Sequence, residues 1–200
     1  AIGVPLMKVK CAALKFYLED SETVSIAEII PLFHRWIQNK SVDGLLIAVA
    51  DYSHMHQGPG VMLMGHDIDY SIDFGEGRPG LSCKMKGTTP SDLGDGLERI
   101  LKAALVACQK LEQDEHLTAD VQFHTGEVLL SVYDRLSVSN SSESVDDVWA
   151  QVQGHFSRLY QGADVDFQVA FEDPRAACSI RIQAESSPSL SECVSRFTNS

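Results

Sequence analysis

The feature that most constrains the fold of this chain is a strict alternation of apolar and polar side chains along residues 66–74. One side of the alternation consists of His66, Ile68, Tyr70, Ile72 and Phe74, and the other consists of Asp67, Asp69, Ser71 and Asp73. Because successive side chains of a strand point to opposite faces, this period of two predicts a strand with one buried and one solvated face. The chain therefore needs a sheet that is covered on one face only.

Further strands are predicted from apolar runs and turn signals. The run Leu45–Ala50 is continuously apolar, which is typical of a strand covered on both faces. Thr125-Gly126 separates two apolar segments and indicates a hairpin. The remaining predicted strands are Lys8–Glu19, Val61–Met64, Leu81–Lys86, Val165–Phe171 and Ala177–Ile182.

Three main helices are predicted from capping signals and a 3.6-residue period. The segment Ser25–Glu28 fits a capping box, but the first helix is expected to begin near Ile30, because Pro31 is best tolerated in a first helical turn. The capping box Thr89–Asp92 has proline at the first helical position and predicts a long helix over Pro90–Glu112. A third helix is expected to be capped by Ser144.

The chain also resembles itself at a shift of 123 residues. Phe33-x-Arg35 aligns with Phe156-x-Arg158, and Val42-Asp43 aligns with Val165-Asp166 ahead of an apolar strand. Short helices that alternate with hairpins favour an α+β fold. We expect a largely antiparallel sheet with about three helices, built from two similar strand–helix–hairpin units.

The pattern divides the chain into an N-terminal unit, residues 8–112, and a C-terminal unit, residues 113–184. The long predicted helix connects the two units, which could also form one composite domain. Residues 1–7 are interpreted as an expression remnant. Residues 185–200 are a Ser/Pro-rich tail that we expect to be loose or to dock late.

Composition and charge exclude several classes of partner. Acidic residues outnumber basic ones by 28 to 16, which gives a formal net charge of −12. A field of that sign repels phosphate backbones, so we expect no nucleic-acid partner. The longest apolar runs have about six residues, whereas a membrane span needs roughly 20, so we expect no membrane partner.

The five cysteines indicate a reducing compartment. They are widely separated, odd in number and never arranged as Cys-x-x-Cys, which argues against a disulfide framework and a zinc ribbon. We expect most of them to be small buried apolar side chains, and we expect the protein to be cytoplasmic.

The densest polar segment, residues 51–67, is the candidate site of chemistry. It contains three of the seven histidines, His54, His56 and His66. With Asp67 they are candidate ligands of a divalent transition metal, because imidazole and carboxylate groups suit zinc, iron or manganese. His54 and His56 would share one face of an extended chain, and the turn could fold them back near His66.

Two other interpretations of this segment stay open. His66 is a candidate catalytic acid–base group, with Asp51 or Asp67 as its carboxylate partner. Alternatively the histidines are structural, because the alternation places His66 on the apolar face, where a buried imidazole is more often hydrogen-bonded than metal-bound. In that case the removal of His66 is expected to cost about 1–3 kcal/mol.

Tyr52 and Arg78 are weaker candidates for contacts with a ligand, and Arg78 would suit an anionic group. The glycine-rich segments 58–60 and 75–80 match neither phosphate-binding loop pattern and are expected to be hairpin turns. The acidic side of the alternating strand could bind calcium or a basic partner, but its spacing is not that of an EF-hand. We expect it to be a solvated face.

Several of these motifs carry a resemblance to other proteins. Val49–His54, Gly58–Val61 and Gly65–Asp67 together resemble a pattern, VADYxH…GPGV…GH, in bacterial proteins of similar length that have no assigned activity. The resemblance extends to Phe33–Trp36 and Asp173–Arg175. It implies a bacterial origin and a cytoplasmic setting, and it transfers no catalytic residue and no cofactor.

The sequence therefore leaves three hypotheses about function. The first is a non-catalytic module that binds a small molecule or a protein partner, with a homodimer formed through sheet edges or helix faces as one form of it. The second is a metal-dependent, hydrolase-like enzyme that uses the segment His54–Asp67. The third is a subunit of a larger assembly, which would expose a large apolar patch.

Overall fold

The computed structural model describes residues 4–21 and 24–198. Within these ranges the chain forms eight β-strands and four α-helices. The strands are β1 (Lys8–Leu18), β2 (Leu46–Tyr52), β3 (Gly60–Gly65), β4 (Ile68–Asp73), β5 (Gly80–Asp92), β6 (Phe123–Val132), β7 (Val165–Val169) and β8 (Cys178–Ala184). The helices are α1 (Ile26–Asn39), α2 (Leu93–Glu112), α3 (Ser142–Tyr160) and α4 (Leu190–Thr198).

All of the described strands belong to one antiparallel sheet with the order β2-β3-β4-β5-β1-β6-β8-β7. The α+β prediction is confirmed. The chain takes a similar path twice, because β1 and β6 each lead through a helix to an edge strand and then return towards the centre. The first return uses β3, β4 and β5, whereas the second uses β8 alone, so the prediction of two similar strand–helix–hairpin units is matched only in outline.

Helices cover one face of the sheet, which we call the covered face. Trp36 of α1 packs against the ring of Tyr70, and Trp149 of α3 stacks on Phe167. Helix α2 lies across β1 and β5. It approaches so closely at Gly96 that a Cβ atom there would lie 2.3 Å from the sulfur of Met85. The covered face therefore holds the apolar core.

The helix starts differ from their predicted positions. Helix α1 begins at Ile26, so Pro31 lies inside it, because the burial of its apolar face outweighs the hydrogen bond that proline cannot donate. Helix α2 begins at Leu93 rather than at Pro90, because β5 stays paired with β1 as far as Asp92. The carboxylate of Asp92 then caps α2 by accepting a hydrogen bond from the Asp95 amide. Helix α3 is capped by the residue Ser141.

Two strand predictions were wrong. The run Leu45–Ala50 belongs to an edge strand, because β2 pairs with β3 alone, and Leu45 and Ile47 are 69% and 62% exposed. Thr125-Gly126 does not form a hairpin either. Strand β6 continues through it and absorbs an irregularity in its pairing with β1 near Tyr17.

The tail is more ordered than expected. Residues Leu190–Thr198 form α4, a fourth helix beyond the three predicted, and it packs on α2 and α3. Cys193 and Phe197 are its buried anchors. Residues 1–3 and 199–200, which belong to the predicted remnant and tail, lie outside the described residues. None of the four described helices combines the length and apolarity that a membrane crossing requires.

The opposite face of the sheet, which we call the open face, carries polar side chains. The expectation of a solvated acidic face on β4 was wrong, and the more exposed Asp67 precedes the strand. Asp69 is buried and forms an ion pair with Lys86 at 2.9 Å, and Asp73 forms one with Lys15 at 3.0 Å. These carboxylates are shielded because cations on the neighbouring strands reach them, which a pattern within one strand cannot show.

Candidate functional site

The structure separates the histidines of the candidate metal site. His54 and His56 lie on the exposed turn between β2 and β3, whereas His66 follows the opposite end of β3. Six residues of extended chain span about 20 Å, so the turn does not bring the two groups together. Among the described residues no three His, Cys, Asp or Glu side chains form a group suited to a metal ion.

His66 does not lie on the apolar face. It precedes β4, its side chain is 70% exposed, and its Nδ1 lies 2.6 Å from the Asp67 carboxylate. The hydrogen bond with His66 lowers the pKa of Asp67. The buried side of the alternation begins only at Ile68, because the turn before β4 rotates His66 towards solvent.

Asp51 lies far from His66, the group it was paired with as a candidate acid–base partner. It stands opposite Val61 near the start of β3, and its carboxylate accepts a hydrogen bond from the Ser53 amide at 2.8 Å. Hydrogen bonding with Ser53 lowers the pKa of Asp51. Asp51 therefore stabilises the turn that follows β2. Tyr52 ends β2 and is half-buried opposite Gly60.

Arg78, the other candidate for ligand contact, belongs to a cluster of charged residues on the open face. We call Tyr17, Glu76, Arg78, Glu127 and Arg181 the Tyr17 cluster. The Arg78 guanidinium donates two hydrogen bonds of 2.8 Å to the Glu127 carboxylate and lies 3.8 Å above the Tyr17 ring. Arg181 donates to Glu127 and to the Tyr17 hydroxyl, both at 3.0 Å, and pairs with Glu76.

The electrostatics of the Tyr17 cluster match this geometry. The hydrogen bonds from Arg78, and then from Arg181, lower the pKa of Glu127 to about 2, although burial opposes the shift. Burial and the nearby Glu76 carboxylate raise the pKa of Tyr17 to about 12. Glu127 is thus held as a carboxylate and Tyr17 as a neutral phenol. Both arginines of the cluster are neutralised by carboxylates.

A groove with a volume of about 390 Å³ lies beside the Tyr17 cluster, within the roughly 300–1,000 Å³ of small-molecule sites. We call it the open-face groove. Its floor consists of small side chains on four neighbouring strands, and its walls come from residues on the surrounding loops and strand ends. The floor residues are Ala13, Ser82, Ser131 and Ser179, and the wall residues are Gln57, Gly75, Glu76, Tyr133, Phe171, Ala176 and Ala177.

The strand register explains why the groove lies at this position. Ala13 stands between Lys84 on β5 and Ser131 on β6, and Ser131 stands opposite Ser179 on β8. Side chains at one level of neighbouring strands point to the same face, so these small residues leave a depression. Larger side chains around the depression, such as Tyr133, supply its rim.

Lys15 is the most unusual residue of the groove. It lies on β1, opposite Ser82, and only 4% of its surface is exposed. Its Nζ donates to the Asp73 carboxylate at 3.0 Å and to the Gly75 carbonyl at 3.1 Å. An ammonium group has three N–H donors, so these two acceptors leave one donor without an acceptor, and the centre of the Tyr17 ring lies 5.2 Å from Nζ.

The serines of the floor form a directed chain of hydrogen bonds. The Ser179 hydroxyl donates to the Ala177 carbonyl at 3.1 Å, and the hydroxyls of Ser131 and Ser179 lie 2.9 Å apart. Since a hydroxyl has a single proton, Ser131 must be the donor to Ser179. The Ser131 hydroxyl also hydrogen-bonds with the Tyr133 side chain, and its oxygen has a second lone pair that can accept.

Sequence reasoning missed the open-face groove. A signal was present, because Lys15 interrupts the otherwise apolar segment Cys11–Leu18, and a lysine is almost never fully buried unless it is paired. The serines gave no comparable signal. They lie on three different strands, and only the register of the sheet places them side by side.

Together the fold and the groove define an α+β protein whose helices cover one face of an antiparallel sheet and whose other face carries a polar cavity. Comparison of the chain with protein-family models, with curated proteins and with solved structures found no match. The functional argument therefore depends on the site itself.

Proposed function

We propose that the protein binds a small polar molecule in the open-face groove without transforming it. One observation carries the proposal: the groove combines the volume of a small-molecule site with a floor of hydroxyl groups and a buried lysine. Polar groups on the interior of a sheet are costly unless they have partners. A bound molecule would supply partners for the Lys15 donor and the Ser131 acceptor.

The groups around the groove favour binding over catalysis. The Lys15 ammonium is held by two acceptors, and Glu127 is fully engaged by arginines. In the apolar core, away from the groove, burial raises the pKa of Cys83 and Cys108 well above the usual thiol value, which disfavours the nucleophilic thiolate. We keep the cytoplasmic setting as part of this proposal, because all five cysteines are free thiols.

The test is a comparison of three proteins against a defined mixture of sugars, amino acids, nucleosides and organic acids, read by native mass spectrometry. Ala13→Leu fills the floor of the groove and removes no hydrogen bond. Gln168→Leu is the matched control, because it changes an exposed residue of the open face on β7, outside the groove. Wild type and the control are expected to retain the same molecule, and Ala13→Leu is expected to lose it.

Two results would overturn the proposal. One is a wild-type protein that retains nothing from the mixture. The other is a retained molecule that Ala13→Leu binds as well as wild type does, since binding would then lie outside the groove. Folding of each variant is checked by its thermal unfolding midpoint before the comparison is made.

A second candidate function, self-association through β2, is favoured by the exposed edge of the sheet. Leu45 and Ile47 are exposed there, and residues 44–50 carry no charge. Edge strands normally carry charges or prolines that prevent pairing. In an antiparallel pair of two β2 strands, Asp51 of one copy would face the uncharged start of the other, so no like charges would oppose each other.

The oligomeric state tests this candidate. We expect a wild-type dimer by light scattering and a monomer for Ile47→Lys. Gln168→Lys adds the same charge at the opposite edge of the sheet, on β7, and is expected to stay dimeric. A monomeric wild-type protein, or dissociation by both variants, would refute pairing through β2.

A further inference from the structure

We infer that the molecule bound in the open-face groove is an uncharged, hydroxyl-rich ring compound, of the class of neutral monosaccharides and cyclic polyols. This inference rests on the proposed function, because it names the chemistry of a ligand in the same groove. Four features of the groove carry it: charge balance, unused hydrogen-bonding groups, aromatic walls, and the position of one unpaired lysine.

The charges at the groove are already balanced. Lys15 is paired with Asp73, and Glu76 is paired with Arg181 and hydrogen-bonded by the Tyr17 hydroxyl. A charged ligand would lose its hydration in the groove without gaining an opposing charge that is free. The charge balance therefore favours a neutral ligand.

The hydrogen-bonding groups that remain are of both kinds. The third N–H of Lys15 is a donor, and the Ser131 oxygen, which also hydrogen-bonds with the Tyr133 side chain, keeps a second lone pair that can accept. The Ser82 hydroxyl and the Gln57 amide both line the groove, have no hydrogen-bond partner among the described residues, and can donate and accept. A ligand hydroxyl also donates and accepts, so a molecule with several hydroxyls can satisfy this mixed set. An apolar ligand would leave these groups unpaired.

The walls supply the apolar part of the site. Tyr133 and Phe171 line one side, and Leu129 adds an aliphatic surface. Binding sites generally combine apolar walls with a few placed polar groups. A hydroxylated ring has C–H groups on its faces and hydroxyls at its edge. It can therefore pack its faces on the aromatic walls while its edge reaches Ser82 and Ser131.

Lys84 distinguishes a neutral ligand from an anionic one. Lys84 has no carboxylate within 4.0 Å among the described residues, and its Nζ lies 4.6 Å from the centre of the Tyr133 ring. It lines a smaller cavity that adjoins the groove. An anionic ligand would use Lys84 as its counter-charge, whereas a neutral ligand bound at the floor would not need it.

The experiment measures binding of three sets of probes by isothermal titration calorimetry at one ionic strength. Each set keeps one ring and changes its charge: glucose, glucosamine and glucuronate, with the galactose and mannose counterparts as second and third sets. Wild type, Ala13→Leu and Lys84→Met are compared. We expect at least one neutral sugar to bind wild type about tenfold more tightly than its charged counterparts.

The variants are expected to respond differently. Ala13→Leu should weaken binding of the neutral sugar by about tenfold or more, because the added side chain occupies the floor. Lys84→Met should leave the affinity within about twofold, since a neutral ligand has no charge to pair. Tighter binding of a uronate that is lost in Lys84→Met would overturn the inference in favour of an anion. Tighter binding of an amino sugar would overturn it in favour of a cation.

Failure of this inference and failure of the proposed function are distinguishable. If no sugar binds while the metabolite mixture yields a molecule that Ala13→Leu cannot retain, the neutral-ring inference fails and the binding function stands. If neither experiment gives binding that depends on the groove, both fail. Binding of a neutral sugar with unchanged affinity for Ala13→Leu also overturns the inference, because the sugar would then lie elsewhere.

Discussion

The two faces of the sheet exclude solvent equally well at their centre, but different kinds of groups cover them. Phe16 and Tyr17 are consecutive residues of β1 with exposures of 0% and 1%. Phe16 lies under helices, whereas Tyr17 is enclosed by two arginines and two glutamates of the open face. Burial alone therefore does not identify the hydrophobic core of this protein. The chemistry of the covering groups separates a hydrophobic face from an electrostatic one.

This difference predicts different responses to substitution and to pH. Stability from the covered face comes from apolar area removed from water and does not depend on protonation. Stability from the open face depends on charged pairs. The contribution of each pair to the free energy of unfolding changes when one partner is removed or protonated. Four experiments test this difference between the two faces, and the largest expected effect comes first.

The largest effect is expected for Phe16→Ala on the covered face. The loss of a fully buried ring leaves a cavity under the helices and should lower the free energy of unfolding by about 3–5 kcal/mol. Urea denaturation at neutral pH measures it. Leu136→Ala is the control, because Leu136 is fully exposed and should cost almost nothing. A cost for Phe16→Ala no larger than that of the control would contradict the assignment of the core.

A somewhat smaller effect is expected for Glu127→Gln on the open face. The amide is nearly the same size as the carboxylate, but it leaves Arg78 and Arg181 without their shared counter-charge. The expected loss of stability is about 3 kcal/mol, at the lower end for a broken buried pair because Arg181 keeps Glu76. Glu172→Gln, at an exposed position, serves as the matched control. Equal costs for the two variants would show that the Tyr17 cluster adds nothing to stability.

The third prediction concerns acid. The folded-state pKa of Glu127 is about 2, below the ordinary value of 4.5. A lowered carboxyl pKa stabilises the folded state above pH 4.5, and this contribution is lost as the pH falls through 4.5 towards 2. The stability difference between wild type and Glu127→Gln should therefore shrink over this range. Urea midpoints for both proteins at several pH values measure it, and a constant difference would argue against a charged Glu127.

The smallest effect is expected at the turn between β3 and β4, which belongs to neither face of the sheet. His66→Ala should change the free energy of unfolding by less than about 0.5 kcal/mol, because an exposed pair with Asp67 contributes little. This replaces the larger cost expected when the sequence pattern placed His66 on the apolar face. His54→Ala on the β2–β3 turn is the comparison variant and should behave alike. A loss above about 1 kcal/mol for His66→Ala alone would restore a structural role.

The success of the sequence-based predictions follows the range of the interactions involved. The existence of β4 and the burial of its apolar side from Ile68 onwards were predicted correctly, because both depend on the local periodicity of the backbone. The edge position of β2 could not be predicted from its apolar run, since that position depends on pairing with other strands. The continuous strand at Thr125-Gly126 was missed for the same reason, because pairing with β1 and β8 keeps β6 extended past a turn signal.

The prediction of the candidate site also depended on the range of the interactions, because only contacts that are close in sequence were visible. The histidine-rich segment was conspicuous because its residues are close in sequence, yet β3 holds its two ends apart. The residues that do meet are remote in sequence: Lys15 and Asp73 are separated by 58 positions, and Tyr17 and Arg181 by 164. Arg78 was singled out as a candidate anion contact, but its carboxylate partner Glu127 lies on another strand and neutralises it.

The class of the fold, most of the strands and helices, and the apolar face that each of them buries follow from local patterns in the sequence. These properties depend on the backbone period and on the transfer of apolar side chains out of water, which act on each segment alone. The order of the strands, the pairing of the buried charges and the position of the groove are instead set by contacts in the folded chain. Each of these depends on register between distant segments, and a shift of one residue would send the same side chains to the other face of the sheet.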